Sequence, residues 1–139
     1  MRRGASAGIA AALVWAATEP LARRAFGTQY TDSRLVGRLV TTGRLWPLAG
    51  IAVHTLNGAA FGAVFARAGG RGWKHGVAAA ELENGVLWPA MAIIDRYHPD
   101  RRSGYWPPLL RDGWVFAQEA ALHALFGAVL GALLRNDRY

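Results

Sequence analysis

Leu45-Trp-Pro-Leu-Ala-Gly-Ile-Ala-Val-His54-Thr-Leu-Asn-Gly58-Ala-Ala-Phe-Gly62-Ala-Val-Phe-Ala66 runs for 22 residues without an Asp, Glu, Lys or Arg. About 20 mainly apolar residues at the helical rise cross the hydrocarbon core of a bilayer. A mean hydropathy of +0.12 over the whole chain would also permit a soluble four-helix bundle. A helix of such a bundle would carry a polar stripe at helical spacing, and residues 45–66 show none. The stretch therefore reads as a membrane span.

Three more stretches of the 139-residue chain have comparable length. Trp114–Leu134 is interrupted only by Gln118, Glu119 and His123, and Gly4–Phe26 holds Glu19 and Pro20 with Arg23 and Arg24 at its end. Trp73–Ile94 is the most polar, with Lys74 and His75 at its start and Glu81, Glu83 and Asn84 inside. Trp46, Trp73 and Trp114 stand at span starts, the headgroup depth that indole rings favour. The expected fold is all-α: one integral membrane four-helix bundle over 1–139, with spans at about 4–26, 45–66, 73–94 and 114–134. Arg2 and Arg3 before an apolar run resemble a signal peptide, but further spans follow, so the first span is expected to stay uncleaved.

The charge sits between the spans. The chain has 16 Lys and Arg against 9 Asp and Glu, a net charge of +7. Seven basic residues (Arg2, Arg3, Arg67, Arg71, Lys74, Arg135, Arg138) fall on the side of the termini and nine on the other. That is too even for the positive-inside rule to orient the chain. Basic residues flanking both faces suit anionic headgroups of the lipid bilayer, so no nucleic acid is needed as a partner. With no cysteine, a disulfide framework, a thiolate metal site and a cysteine nucleophile are excluded.

A shift of 69 aligns His54-x3-Gly58-x3-Gly62 with His123-x3-Gly127-x3-Gly131, Pro20 with Pro89, and Leu45 with Trp114. This register predicts two tandem helical hairpins related by a parallel internal repeat. Gly58, Gly62, Gly127 and Gly131 strip one face of each helix and would let backbones pack closely. They do not explain the histidines that head the stripes.

The aspartates (32, 95, 100, 112, 137) fall in connections or the tail, whereas all four glutamates (19, 81, 83, 119) fall inside spans. Ionisable groups at bilayer depth are costly and default to a functional reading. Measured from the side where spans two and four begin, His54 and His123 both lie nine residues in, about 13–14 Å at the helical rise. Glu19, Glu119, Glu83 and Glu81 fall at similar depth. Glu119 and His123 share a helix face at i and i+4, while Glu81 and Glu83 point nearly opposite ways, so only one of them can face the same centre.

Three chemistries could use this layer. The first is a carboxylate–histidine iron or manganese centre, with His54 and His123 as nitrogen ligands, Glu19, Glu119 and Glu83 or Glu81 as oxygen ligands, and Asn57, Asn84 and Gln118 around them. The inventory matches di-metal four-helix proteins in number, though not in spacing. The second is proton-coupled transport, in which the glutamates alternate between protonated and charged states and Pro20 and Pro89 break helices around the site. The third is a bis-histidine haem b between His54 and His123. A lipid-soluble substrate arriving from the bilayer would suit the first, and a transporter of this size would form a homo-oligomer. Asn57, Asn84 and Gln118 also suit interhelical hydrogen bonding alone.

No phosphate-binding Gly-rich loop or HExxH motif occurs, and Ser6, Ser33 and Ser103 are not placed for a hydrolase triad. His75 and His98 are expected to be solvated. The aromatics and prolines of residues 95–113 suit a short structured cap at the interface above the polar layer, read as an ordinary interfacial loop ahead of a lid or docking patch. In the first span, Trp15-x3-Glu19-Pro20-x2-Arg23 resembles the first span of YagU-type bacterial inner-membrane proteins. The resemblance covers nine residues; it implies a small protein of the bacterial inner (cytoplasmic) membrane and nothing about catalysis.

Overall fold

The computed structural model describes residues 2–135; Asp137 and Arg138 lie outside them. The described chain is all-helical. In order come α1 (Arg2–Phe26), α2 (Asp32–Val40), α3 (Trp46–Arg67), α4 (Gly72–Leu87), a 3₁₀ turn (Trp88–Ala90), α5 (Met91–Tyr97), α6 (Pro99–Arg102) and α7 (Gly113–Leu133). Four helical stretches are long and apolar enough to cross a membrane: α1, α3, Gly72–Tyr97 and α7.

The helix ends follow from local chemistry. Pro47 stands in the first turn of α3, where its missing N–H breaks no helical bond. The Asp112 carboxylate caps α7, accepting from Trp114 N at 3.0 Å and Val115 N at 3.1 Å. The two prolines expected to break helices behave differently. Pro89 lies in the 3₁₀ turn that ends α4, because proline cannot donate the next helical bond. Pro20, by contrast, lies inside an unbroken α1, which is packed against both α3 and α7. Neighbouring helices of this kind hold a transmembrane helix together across a proline, so the expected pair of matched breaks is corrected to one.

Packing runs α3–α1–α7–α4, and α3 and α4 make no substantial contact. Glycine sets the distance in both outer pairs. A Cβ on Gly8 would overlap the Gly58 carbonyl, and one on Gly62 would overlap that of Gly4. Across the other pair, a Cβ on Gly76 would overlap the Gly127 carbonyl and one on Gly131 that of Gly72. The partner glycines Gly4 and Gly8 map onto Gly72 and Gly76 with a shift of 68, one residue off the register that aligns the other two helices. Between the pairs, Ala7, Ala11, Ala12 and Trp15 of α1 pack with Leu122, Phe126 and Leu130 of α7.

A cap covers the end where α3 and α7 begin. Helix α2 crosses α3 so closely that a Cβ on Gly37 or Gly50 would strike backbone of the other helix. Residues 95–112 fold down beside it, burying Trp106 and Leu109 with Tyr30 and Leu35. His98, expected to be solvated, is completely buried. It stacks on Trp106 at 4.8 Å, donates from Nε2 to the Leu35 carbonyl (3.0 Å), and accepts from the Asp100 amide at Nδ1 (3.1 Å). The reason is long-range: the carbonyl that holds it lies 63 residues earlier. Asp100, equally buried, binds Arg34 through two hydrogen bonds (2.7 and 3.2 Å) and sits 3.4 Å from Arg38. Segment 95–112 is thus a packed cap element, with Trp106 and Leu109 buried against α2 and the turn that precedes it.

Candidate functional site

Helix α1 sets Trp15 and Glu19 one turn apart on a buried face. Glu19 Oε1 accepts from the amides of Asp32 (2.7 Å) and Ser33 (3.3 Å) and from Trp15 Nε1 (3.3 Å), while Oε2 accepts from Ser33 Oγ (2.5 Å). A carboxylate on the free amides of a helix N-terminus satisfies donors that the helix cannot and favours its dipole. Glu19 therefore anchors the cap to the spans, and its acceptor capacity is taken up in doing so.

Anchoring α2 in this way brings Asp32 over the helices. Asp32 Oδ2 lies 2.8 Å from His54 Nδ1, which donates to it. His123 Nδ1 donates to the Glu119 carbonyl at 2.7 Å, the i−4 position on its own helix. Its Nε2 faces the Glu83 carboxylate at 3.9 Å. The Trp15 indole packs edge-on against both imidazoles, with centroids at 5.1 Å to His54 and 4.6 Å to His123.

These groups line a cavity of about 410 Å³. Its walls are α3 (His54, Asn57, Phe61) and α4 (Glu83, Asn84, Leu87), the two spans that do not pack on each other. Trp15, Glu119 and His123 form its floor, and Tyr30, Asp32, Trp88 and Met91 its capped end. Of the two glutamates on α4, Glu83 lines the cavity and Glu81 does not. Gln118 is buried elsewhere: it donates to the Tyr30 carbonyl (3.0 Å) and accepts from the Thr28 hydroxyl, pinning the start of the cap to α7.

Two buried polar atoms on residues lining this cavity have no hydrogen-bond partner among the described residues: Tyr30 Oη and Glu119 Oε1. An unsatisfied buried donor or acceptor costs about 1–3 kcal/mol. Tyr30 lies outside the spans. Burial drives its phenol well above the usual tyrosine range, with the charges of Glu119, Asp32 and Glu19 adding to the shift. It is therefore held as a neutral hydroxyl that can donate.

The residues expected to ligate iron or manganese do not converge as a ligand set. Among the described residues no three His, Asp or Glu are placed to hold a metal ion. Glu19 is consumed at the N-terminus of α2, Glu81 lies off the cavity, and His54 is turned onto Asp32. The two histidines expected to flank a haem both pack against the Trp15 indole. What does converge is Glu83, Glu119, His54, His123, Asn57 and Asn84, joined by Asp32, Trp15 and Tyr30. For Trp15 the signal in the sequence was its i, i+4 spacing to Glu19. For Asp32 it was Thr31-Asp32-Ser33 ahead of Leu35, Val36, Leu39 and Val40, a helix start within a segment dominated by its arginines. Thr31 does cap α2, accepting from Arg34 N. No local signal marked Tyr30. Comparison with protein families, with curated proteins and with solved structures finds no match to this chain.

Proposed function

We propose that this chain is a small protein of the bacterial inner membrane that takes up an amphiphilic small molecule from the bilayer into the cavity between α3 and α4. The glutamates there exchange protons as the molecule is passed on, in the manner of a proton-coupled transporter. One observation carries this reading: Tyr30 and Glu119 leave polar atoms unpaired and buried at one cavity. Buried polar groups in native proteins find partners, and here a ligand with a polar head supplies them. Because α3 and α4 are not packed together, the cavity's side faces the lipid, and its apolar wall (Phe61, Leu87, Met91) suits a hydrocarbon body. Pockets of a few hundred Å³ with few polar groups on an apolar lining are the usual form of small-molecule sites.

The same reading accommodates an internal repeat. The α1–α3 and α4–α7 pairs are each closed by two glycines against two, and each supplies one histidine from its second helix. The third span has 11% of its apolar window buried within the chain against 44% for α7, which suits a homo-oligomer built across that span.

The test exploits the absence of cysteine. Asn57→Cys, reconstituted in bilayers, should react with a lipid-soluble maleimide. Leu122→Cys, in the α1–α7 core, should not. An added medium-chain amphiphile should protect Cys at position 57. Because Asn57 is exposed, the decisive outcome is protection: labelling at position 57 that no amphiphile slows would sink the proposal.

A further inference from the structure

The cavity's charge is opposite to that of the chain. The protein carries 16 Lys and Arg against 9 Asp and Glu, yet the titratable side chains lining the cavity are Asp32, Glu83, Glu119, Tyr30, His54 and His123, with no Lys or Arg among them. His54 is paired with Asp32 (2.8 Å), so that carboxylate is already answered. Glu83 has His123 Nε2 at 3.9 Å, beyond hydrogen-bond reach. Glu119 Oε1 is buried with no partner at all among the described residues. Two carboxyl groups thus line the cavity with no Lys or Arg among the lining residues to answer them.

The rest of the lining has the same preference. Trp15, Tyr30, Phe61, Trp88 and Phe126 present aromatic rings to the cavity. Indole and phenol faces attract cations, and the attraction grows when the cation is desolvated. An anion would meet two carboxyl groups and the negative faces of these rings. A neutral head could use Tyr30 Oη and donate to a carboxyl group but would bring no charge to it.

We infer that the ligand of this cavity is a cationic amphiphile, an amine or quaternary ammonium head on a hydrocarbon body, with its head against Glu119 and Glu83. This rests on the cavity being a ligand site for amphiphiles. It adds the sign of the charge and the residues that read it.

The experiment uses Asn57→Cys in zwitterionic bilayers, with decyltrimethylammonium, decyl sulfate and decanol compared at equal mole fraction in the lipid. Each is scored by how far it slows maleimide labelling. The cation should protect at about one tenth of the concentration that decanol needs, a factor corresponding to one good charge contact, and the sulfate should not protect. Glu119→Gln should remove the tenfold gap between cation and decanol while decanol still slows labelling, a split that general misfolding would not produce. Glu83→Gln, whose side chain is about a quarter exposed, offers the same test where the first variant folds poorly. Equal protection by cation and alcohol, or stronger protection by the sulfate, overturns the cation assignment and leaves the amphiphile site standing. Labelling that no probe slows removes the site and the assignment together.

Discussion

The cap and the cavity bury polar groups next to each other and treat them in opposite ways. In the cap, both ring nitrogens of His98 are bonded, Asp100 accepts two hydrogen bonds from Arg34, and Asp95 accepts from the Leu109 amide (2.7 Å), the Leu110 amide (2.9 Å) and Arg101 (3.1 Å). The exception is Arg38 Nε, buried without a hydrogen bond but 3.4 Å from Asp100. In the cavity, Tyr30 and Glu119 each leave an atom unanswered, and among the described residues no ion pair answers either. A satisfied buried network fixes one conformation, whereas an unsatisfied one is a cost that persists only if something else compensates it. The cap is therefore structural, and the cavity is where chemistry enters from outside.

The largest effect that this contrast predicts comes from Asp100→Ala. The substitution leaves Arg34 and Arg38, each about one-fifth exposed, beside an empty acceptor position. Removing one partner of a buried pair costs about 3 kcal/mol or more. The expected outcome is a lower thermal midpoint in detergent and new protease cleavage within 95–112, with labelling at a cysteine in position 57 raised as the cap loosens. A variant as stable as the parent would show that the cap is not held by this pair.

Next comes Glu19→Gln. The amide keeps one acceptor oxygen but loses its charge and half of its capacity for the Asp32 and Ser33 donors. A hydrogen bond to a charged group is worth about 1.5–3 kcal/mol, so a loss of about 2 kcal/mol is expected in denaturant unfolding. Under the transport reading of the sequence, Glu19 was a titrating group. In the fold it is a helix cap, and its substitution should act on stability with ligand preference unchanged.

The four spans were legible because residues 45–66 carry no charge, and the observed helices Trp46–Arg67 and Gly113–Leu133 lie within one residue of the stretches read there. The depth shared by His54 and His123 was also legible, because helical rise turns sequence position directly into distance. The groups that finish the site were not. Asp32 reaches His54 from another element 22 residues away, and only the Glu19 anchor, itself a contact over 13 residues, places it. Likewise Asp32, Asp95 and Asp100, assigned to connections by their sequence neighbours, become site and cap groups because α2 and residues 95–112 fold back over the spans. Periodicity records which face of a helix is apolar. It does not record which loop returns to cover that face.

Acidification offers a graded way to loosen the cap. Burial holds His98 below the ordinary histidine value of 6.5, with Arg38 and Arg34 adding to the effect against the pull of the Leu35 carbonyl and Asp100. Asp100 is raised by burial but more strongly lowered by Arg34, Arg38 and His98, and ends below its ordinary 3.8. Both groups bind protons more readily unfolded than folded, so stability rises with pH across their range. The contribution of His98 is complete above about 6.5 and is lost as pH falls through that value toward its folded one. That of Asp100 is lost only below about 3.8. Thermal midpoints should therefore fall in two stages on acidification, and His98→Asn should remove the upper stage alone.

The smallest effect on stability should come from the residue that matters most to the proposed function. Glu119 is as buried as Glu19, at 3% exposure for each, but only Glu19 is surrounded by donors. Glu119→Gln takes away no ion pair and reduces the penalty of keeping an ionisable group in an apolar setting. The variant should unfold within about 1 kcal/mol of the parent, or slightly later. Measured beside Glu19→Gln, it separates two buried glutamates that the sequence placed in one layer: one lowers stability and spares the preference for a cationic probe, the other spares stability and abolishes the preference. A large destabilisation by Glu119→Gln would mean that the carboxyl has a structural partner after all. The cavity would then be an ordinary packing gap, and the contrast between cap and cavity would fail at its most exposed point.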